Sequence, residues 1–279
     1  MDNFGVRLRR AVAERGQLCI GIDPHPQLLR AWGLSDDISG LVRFTETATE
    51  ALGSRVAVAK PQSAFFERFG SRGIGVLEST IRQLRDAGAL VVLDVKRGDI
   101  GSTVAAYAEA YLDPSSSLYV DAITANPYLG VGSLRPMIDT ATAYGGGVFI
   151  VALTSNPEAA AIQRLAGADG RTVGQLVLDE IAQLNHGMQP LGDVGAVIGA
   201  TIEPGGYDLS RVNGPLLAPG LGAQGGAPGQ LRAIFGDAIS NVLPSYSREV
   251  LAHGPSVTGL RDAAARALDA CRAVLDPTT

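Results

Sequence analysis

Charged residues of opposite sign stand at the end of one apolar run in the sequence. Residues 90–95 read L-V-V-L-D-V, and Asp94, Lys96 and Asp99 fall within six positions. Asp94 and Lys96 are two apart, so on a strand their side chains point to the same face. A lysine ammonium at a reacting carbon can stabilise developing negative charge and then supply a proton. Flanking carboxylates would hold Lys96 in its protonated form.

Polar side chains also end most of the other apolar runs. Asp23 ends the first predicted strand and Lys60 ends the second. In a barrel of parallel strands the chemistry lies at the carboxyl ends of the strands. We therefore expect Lys60 and Asp23 to approach Asp94 and Lys96 at one rim of a barrel.

Each of these charges also has a structural alternative. Asp94 and Lys96 could form a structural ion pair, but a buried pair is often no better than apolar packing. Four charges in one polar mouth favour a functional site. Asp99 opens the next predicted helix, where a carboxylate suits an N-cap or the positive end of the helix. Thr103 follows at i+4 on the same helix face.

A glycine-rich segment follows the seventh predicted strand. Residues 218–229 read A-P-G-L-G-A-Q-G-G-A-P-G, and such a loop lets backbone N–H groups approach an anion closely. A helix predicted at 228–235 adds its dipole. The eighth strand leads to Arg248, whose guanidinium can hold a phosphate through two hydrogen bonds. The loops after strands 7 and 8 are the usual phosphate site of a barrel, although a glycine-rich surface loop is the alternative.

Eight short apolar runs alternate with amphipathic helical patterns, and these elements must position the site. The runs are continuous, as in parallel strands covered on both faces. Strict alternation demands a parallel sheet, and eight repeats favour a closed (β/α)8 TIM barrel of the α/β class. No G-x-G-x-x-G follows the first strand, which argues against a dinucleotide fold. The predicted strands span 17–23, 55–60, 90–95, 119–124, 147–153, 194–200, 215–219 and 238–243, and the predicted helices include 39–52, 73–87, 101–112, 131–143, 173–187 and 256–274.

We predict a single domain over residues 1–279. An extra helix at 3–15 precedes the first strand and is expected to pack on the bottom of the barrel. The stretch 155–172 is longer than a usual connection from strand to helix and predicts a lid or an added helix. The chain shows no linker and no second core.

Composition excludes several classes of partner. The net charge is −5 and no basic run occurs, so no nucleic acid polymer is expected as a partner. No apolar stretch approaches the ~18 residues that span a bilayer, and the N-terminus lacks the apolar region of a secretory signal. Cys19 and Cys271 are expected to be buried, reduced thiols of a cytoplasmic protein. The three histidines show no metal-ligand spacing, and no motif for a cofactor occurs, so neither a metal nor a cofactor is expected.

The stretch D-V-K-R-G-D-I-G-S-T resembles the Asp-x-Lys-x-x-Asp-Ile-x-x-Thr signature of the orotidine 5′-phosphate decarboxylase family, in its longer, type 2 branch. Further matching stretches occur in the expected order, namely G-I-D-P at Asp23, V-A-K-P-Q at Lys60, T-S-N-P at 154–157, P-G-L-G-A-Q-G-G at 219–226 and S-R at 247–248. Asp-x-Lys-x-x-Asp alone is shared with sugar-phosphate decarboxylases of the same suprafamily, so the combination carries the resemblance.

The resemblance implies a cofactor-free enzyme that converts orotidine 5′-monophosphate to uridine 5′-monophosphate and CO₂, the last step of de novo pyrimidine synthesis. It implies a homodimer with shared active sites. Lys96 would protonate C6 of the pyrimidine, Asp94 would face the substrate carboxylate, and Lys60 would bridge Asp94 and a ribose hydroxyl. The other implied residues are Asp23 at the ribose, Asp99, Ile100 and Thr103 in the neighbouring subunit's site, Thr154 and Ser155 at the base edge, and Gln224, Gly225, Gly226 and Arg248 at the 5′-phosphate. Gln62 and Tyr246 receive no assignment.

Three other functions remain open at this point. A Mg-dependent sugar-phosphate decarboxylase or isomerase would need acidic ligands around the metal. A class I aldolase would use Lys96 or Lys60 as a Schiff base, although its lysine should have less acidic neighbours. A catalytically silent phosphate-binding barrel is disfavoured because Asp23, Lys60, Asp94 and Lys96 are all present.

Overall fold

Eight short strands follow one another around a closed barrel, and every neighbouring pair is parallel. The computed structural model describes residues 2–275. Strand order around the barrel equals order along the chain, as a parallel sheet linked by crossover helices requires. The strands are β1 (Cys19–Ile22), β2 (Val58–Pro61), β3 (Leu90–Arg97), β4 (Ala122–Ala125), β5 (Gly147–Leu153), β6 (Val194–Ile198), β7 (Leu216–Pro219) and β8 (Val242–Tyr246).

Helices cover the outside of the barrel. The α-helices are α1 (Phe4–Arg15), α2 (Pro26–Ala31), α3 (Ile38–Leu52), α4 (Ala64–Glu67), α5 (Gly70–Asp86), α6 (Gly101–Leu112), α7 (Arg135–Ala143), α8 (Ala160–Gln163), α9 (Val173–Leu184), α10 (Pro228–Phe235), α11 (Arg248–Leu251) and α12 (Val257–Leu275). Three 3₁₀ helices span Val131–Leu134, Pro157–Ala159 and Gly236–Asn241. The predicted (β/α)8 fold is confirmed, and no helix of the described residues is long and apolar enough to span a bilayer.

The extra N-terminal helix closes the lower end of the barrel, as predicted. The Asn3 side chain caps α1 by accepting a hydrogen bond from the N–H of Val6, 2.9 Å away. Phe4 then packs edge-on against Phe149 inside the barrel, with 5.8 Å between the ring centroids. Gly147 leaves the room for this contact, because a side chain there would collide with the Phe4 ring. The site must therefore lie at the opposite end.

The side chains inside the barrel change from apolar to charged along the strands. Alternate residues of a strand share a face. Two positions beyond Val58, Val92 and Ala122, strands β2, β3 and β4 carry Lys60, Asp94 and Thr124. One buried apolar cluster below them contains Cys19, Val58, Val92, Ala122, Phe149, Val197, Leu217 and Leu243. This apolar layer forms the floor of the charged site.

The eighth strand lies farther along the chain than the predicted 238–243. Residues 236–241 form a 3₁₀ helix whose Ala238 and Ile239 are buried, so their apolar character reflects helix packing. The strand itself contains Pro244 and pairs with β1 only from Ser245 onward. Proline has no N–H to donate to a neighbouring strand, so it is tolerated at Pro244, where β8 is not yet paired with β1. Ser245 therefore belongs to the strand itself, and not to the loop that was predicted to follow it.

Two other connections depart from strict alternation. Residues 199–215, between β6 and β7, contain no helix. The stretch 155–172 contains the short 3₁₀ helix, α8 and an antiparallel bridge between Ala166 and Thr172, which matches the predicted added helix. The prediction of one domain covered residues 1–279, of which residues 1 and 276–279 lie outside the described residues.

Candidate active site

A buried carboxylate lies between the two lysines at the mouth of the barrel. Lys60 Nζ is 3.1 Å from Asp94 Oδ2, and Lys96 Nζ is 2.5 Å from Asp94 Oδ1. The side chains of Lys60 and Asp94 are only 7% and 8% exposed, whereas that of Lys96 is 46% exposed. Each carboxylate oxygen thus faces one ammonium, and the outer ammonium remains open to a ligand.

The end of β3 is distorted at the lysine that faces the opening. Lys96 has φ +45°, in the left-handed region, and the register of β3 on β4 shifts between Leu93 and Arg97. For a residue with a side chain this backbone is unfavourable, and such outliers gather at functional sites. The prediction that Asp94 and Lys96 share a face therefore holds, but through a local distortion and not through regular strand geometry.

Charge pairing outweighs burial in setting the protonation states of Asp94 and Lys60. Burial raises the pKa of the Asp94 carboxyl, but Lys60, Lys96 and the Thr124 hydroxyl outweigh it and hold that pKa well below its usual range. Burial lowers the pKa of Lys60, but Asp94 and Asp23 outweigh it and raise that pKa above its ordinary value. At neutral pH the site therefore holds Asp94 as a carboxylate and Lys60 as an ammonium.

Asp94 should make the folding stability depend on pH in the acidic range. Its pKa is lower in the folded than in the unfolded chain, so its contribution is present above pH ~4 and is lost as the pH falls below that value. We expect the free energy of unfolding of Asp94→Asn to fall less steeply between pH 6 and 3, by at least about 1 kcal/mol.

Urea unfolding at each pH measures this difference. Asp262→Asn, on an exposed position of α12, is the matched control and should follow the wild type. An Asp94→Asn variant whose stability declines as steeply as that of the wild type would contradict the assignment of this pKa.

The lysines line one cavity together with residues from other strand ends. The cavity has a volume of about 280 Å³, and its wall includes the predicted Asp23, Lys60, Asp94, Lys96, Thr154, Gln224 and Arg248. The wall also includes Gln62, Thr124, Ser245 and Ser247, and apolar residues such as Val197 and Leu217. Seven of the predicted residues thus meet at one place.

Two polar atoms in the cavity wall are buried without a hydrogen-bond partner. They are Asp23 Oδ1 and Ser247 Oγ. They belong to adjoining side chains, because a methyl group at Gly21 would lie 2.7 Å from Asp23 Oδ2 and 3.0 Å from Ser247 Oγ. Unpaired buried oxygens destabilise a protein unless a ligand or water satisfies them. This part of the wall is therefore suited to bind hydroxyl groups.

Arg248 and part of the glycine-rich loop also line the cavity. Arg248 is exposed and forms no ion pair with a carboxylate of residues 2–275. Within the loop, the N–H groups of Gly225 and Gly226 donate to the carbonyls of Gly222 and Gly220, at 2.8 and 3.0 Å. These bonds close the loop and leave Ala223 and Gln224 on the cavity wall. Direct phosphate contacts by Gly225 and Gly226 stay a prediction.

Thr154 lies on the cavity wall, but its polar groups are bonded elsewhere. The Gln163 side chain accepts from the N–H of Thr154 at 2.8 Å and donates to its hydroxyl at 3.0 Å. The same hydroxyl donates to Asn156 Oδ1 at 2.7 Å. Ser155 is exposed and lines a second cavity, about 650 Å³ in volume, between residues 153–172 and 201–207. Thr154 belongs to both cavities.

Asp99, Ile100 and Thr103 do not lie on the cavity wall of their own chain. The N-cap of α6 is Ile100 and not Asp99, whose carboxylate accepts a hydrogen bond of 2.8 Å from the N–H of Ile100. Ile100 is 61% exposed, and Thr103 is also exposed. These residues follow the end of β3, outside the cavity wall.

Two residues without a sequence assignment now have a position. Gln62 lies on the cavity wall, and its backbone pairs with that of Asp94. Tyr246 lies on the outer face of β8, where its hydroxyl contacts Cys271 Sγ of α12 at 4.0 Å. Burial raises the pKa of the Cys271 thiol to about 11 and that of the Cys19 thiol to about 12, so both are inert thiols. Tyr246 is part of the packing and not of the site.

The sequence pattern missed some residues of the wall. Thr124 stood at the end of the fourth predicted strand, and Ser245 and Ser247 followed the eighth, all without an assigned role. A period-two count from Leu243 would have found both serines. Among residues 2–275, no group of three or more histidine, cysteine, aspartate or glutamate side chains could hold a metal ion.

Comparison with known proteins identifies strong similarities. A family model described as the Orotidine 5′-phosphate decarboxylase / HUMPS family matches residues 16–263. The orotidine 5′-phosphate decarboxylase of Salinispora arenicola (strain CNS-205) is 70% identical over 275 residues, which cover 99% of each chain. That of Streptomyces coelicolor (strain ATCC BAA-471 / A3(2) / M145) is 58% identical over 95% of this chain and 96% of its own.

Solved structures agree with these similarities. A crystal structure from Streptomyces avermitilis ma-4680, of a protein assigned as an orotidine 5′-phosphate decarboxylase, has a TM-score of 0.95 and 57% identity, and the match covers 99% of this chain and 96% of that one. The structure of Leishmania donovani OMP decarboxylase has a TM-score of 0.74 and 28% identity, with 98% of each chain covered. Neither comparison favours the sugar-phosphate, aldolase or silent-barrel alternatives.

Proposed function

Because the chain belongs to the orotidine 5′-phosphate decarboxylase family, we propose that the cavity at its barrel mouth is where orotidine 5′-monophosphate loses CO₂. The activity is that of a carboxy-lyase of pyrimidine synthesis, which forms uridine 5′-monophosphate. One observation carries the assignment of the site: the array Lys60–Asp94–Lys96 and the unpaired Arg248 line the same cavity.

The reaction needs a cation at the carbon that loses CO₂. Breaking the bond from C6 to the carboxyl group leaves an electron pair in the plane of the ring, with no adjacent electron sink. A fixed ammonium beside C6 stabilises that charge and then transfers a proton to it. Lys96 supplies this ammonium, because it is the lysine of the array that faces the opening.

The lysine content of the chain supports this role. The sequence has 23 basic residues, of which only Lys60 and Lys96 are lysines, and both lie in this cavity. Arginine replaces lysine elsewhere, but a guanidinium stays protonated and cannot act as a proton donor, whereas an ammonium can. The chain thus keeps lysine where proton transfer and a compact charge are required.

Asp94 has two roles in this proposal. Its carboxylate holds both ammonium groups in place through the 2.5 and 3.1 Å contacts. It also faces the substrate carboxylate, and loss of CO₂ relieves the repulsion between the two anions. Lys60, on the inner oxygen of Asp94, keeps the buried carboxylate ionised and reaches a ribose hydroxyl.

Asp23 binds a hydroxyl group of the ribose. Its Oδ1 is buried and lacks a partner, so a ribose hydroxyl would satisfy it. The base edge falls to Ser155, with Thr154 beside it, although the Thr154 hydroxyl and N–H are bonded to Asn156 and Gln163. Thr154 therefore supports Ser155 and leaves the base contact to it.

The 5′-phosphate falls to Arg248 and Gln224, with Gly225 and Gly226 shaping the loop. Arg248→Ala should raise KM for orotidine 5′-monophosphate by about 10- to 100-fold, because charge-assisted hydrogen bonds are worth ~1.5–3 kcal/mol. Initial rates measured by loss of ultraviolet absorbance give KM and kcat.

A matched comparison isolates the contribution of Arg248 to phosphate binding. Arg272→Ala, an exposed arginine paired with Asp269 on α12, should leave KM unchanged. The preference for uridine 5′-monophosphate over uridine should become smaller in Arg248→Ala, because the variant loses the charged contact to the phosphate and keeps only that of Gln224. An unchanged KM and an unchanged ratio of the two affinities would remove Arg248 from the phosphate site.

The proposal includes a homodimer with shared sites. Ile100, Tyr128 and Leu129 are exposed apolar residues in the loops after β3 and β4, beside Asp99 and Thr103. Apolar side chains grouped at one place are typical of an interface. In the dimer, Asp99, Ile100 and Thr103 of each subunit extend into the other subunit's cavity, and Asp99 adds a second carboxylate near Lys96.

The remaining proposals concern the chain as a whole. It acts as one domain, because all the described elements surround one barrel. It acts in the cytoplasm, which suits two buried free cysteines, without a membrane or a nucleic acid polymer as partner.

A direct assay tests the function. The purified chain should convert orotidine 5′-monophosphate to uridine 5′-monophosphate without added cofactor, and EDTA should leave the rate unchanged. No loss of substrate absorbance, or a rate abolished by EDTA and restored by Mg²⁺, would contradict it.

A further inference from the structure

A buried threonine connects the backbone of Lys96 to the carboxylate that holds its side chain. The N–H of Lys96 donates to Thr124 Oγ1 at 2.9 Å, and the Thr124 hydroxyl donates to Asp94 Oδ1 at 2.8 Å. The same Asp94 oxygen accepts from Lys96 Nζ at 2.5 Å. The three residues thus form a closed ring of hydrogen bonds across β3 and β4.

The direction of every bond in this ring is determined by chemistry. An ionised carboxylate only accepts and a backbone N–H only donates, so the hydroxyl must accept from Lys96 and donate to Asp94. Thr124 is 1% exposed, and its hydroxyl belongs to a β-branched side chain with restricted rotation. The hydroxyl therefore has one orientation available.

This ring of hydrogen bonds lies where the backbone of Lys96 has an unfavourable conformation. Lys96 holds φ +45° at the point where the register of β3 on β4 shifts. Such a conformation persists only when the surrounding contacts determine it. The bond from its N–H to Thr124 is the contact that connects this backbone to the neighbouring strand.

We propose that Thr124 is a positioning residue, whose hydroxyl sets the backbone of Lys96 and the rotamer of Asp94 so that the ammonium is aimed at C6. The inference rests on the proposed role of Lys96 as proton donor. Its consequence is that Thr124 contributes to turnover and little to substrate affinity, since the phosphate and ribose contacts lie on other strands.

Three substitutions distinguish the role of the Thr124 hydroxyl from that of its methyl group. Thr124→Val and Thr124→Ala remove the hydroxyl, and we expect kcat to fall by about 100-fold, as a misplaced reacting group does, with KM within about threefold of wild type. Thr124→Ser keeps the hydroxyl and should restore kcat to within about threefold of wild type. Affinity for uridine 5′-monophosphate, measured by calorimetry, should be the same in all four proteins.

Several results would overturn the inference. They are a Thr124→Ala or Thr124→Val enzyme with wild-type kcat, a Thr124→Ser enzyme as impaired as Thr124→Ala, and a loss that appears in KM alone. If Thr124→Val does not fold, the comparison of serine with alanine decides, because these differ by the hydroxyl only.

The same assay separates this inference from the proposed function. Lys96→Ala is measured beside the Thr124 variants. If Lys96→Ala is inactive and Thr124→Ala is fully active, the role of Thr124 alone is overturned. If Lys96→Ala keeps wild-type turnover, the proton-donor role is overturned, and the role of Thr124 with it.

Discussion

Lys96→Ala should lower kcat for orotidine 5′-monophosphate by at least about 10⁴-fold, because proton transfer contributes ~10²–10⁴-fold and charge stabilisation a further ~10²–10³-fold. The fold should remain intact, since the Lys96 side chain is 46% exposed and Lys60 still pairs with the buried Asp94. The rate is measured by loss of substrate absorbance, and the fold by circular dichroism and the unfolding midpoint.

Lys96→Arg is the control that separates the two contributions. A guanidinium keeps the charge but does not release a proton in this pH range, so we expect Lys96→Arg to stay severely impaired. Both variants should still bind uridine 5′-monophosphate. Turnover near the wild-type rate in Lys96→Ala would contradict the assignment of Lys96, whatever its affinity for the product.

Mixing two inactive variants should restore activity if the sites are shared between subunits. In a mixed dimer of Asp99→Ala and Lys96→Ala chains, one site has Lys96 from the first chain and Asp99 from the second. At equal mixing about half of the dimers are mixed, with one complete site of two, so about a quarter of wild-type activity is expected in a twofold-symmetric dimer.

The matched control for this experiment uses two residues of the same site. Asp94 and Lys96 lie 2.5 Å apart in one chain, so mixing Asp94→Ala with Lys96→Ala restores no complete site and should remain inactive. Native mass spectrometry reports subunit exchange. Exchange without recovery in the Asp99 and Lys96 pair would argue against a shared site.

The sequence predicted the parts of this molecule that depend on local pattern. Continuous apolar runs marked the first seven strands, and helix α6 was placed at its observed bounds, 101–112. The polar residue after each run placed Asp23, Lys60 and Asp94 at one end of the barrel, because parallel strands bring their carboxyl ends together.

The sequence failed where tertiary packing overrides local pattern. Ala238 and Ile239 are apolar because a 3₁₀ helix buries them, so this run was taken for the eighth strand. The true strand, with Pro244 and Ser245, has the composition of a turn. Its position became clear only through its pairing with β7 and β1.

The role of Thr124 also required the structure. Its contacts with Asp94 and Lys96 cross from β4 to β3 at a register shift that no sequence pattern encodes. The glycine-rich loop also required the structure, because only the structure shows that the N–H groups of Gly225 and Gly226 donate to carbonyls within the loop itself. One sequence signal went unused: a chain with two lysines among 23 basic residues marks both as functional candidates.

A crystal structure of the wild-type chain with uridine 5′-monophosphate bound tests the central claim most directly. We expect Lys96 Nζ within about 3.5 Å of C6, the distance at which proton transfer is possible, and the guanidinium of Arg248 on the 5′-phosphate. A product whose C6 lies against another proton donor, or whose phosphate lies away from Arg248, would contradict the proposed mechanism.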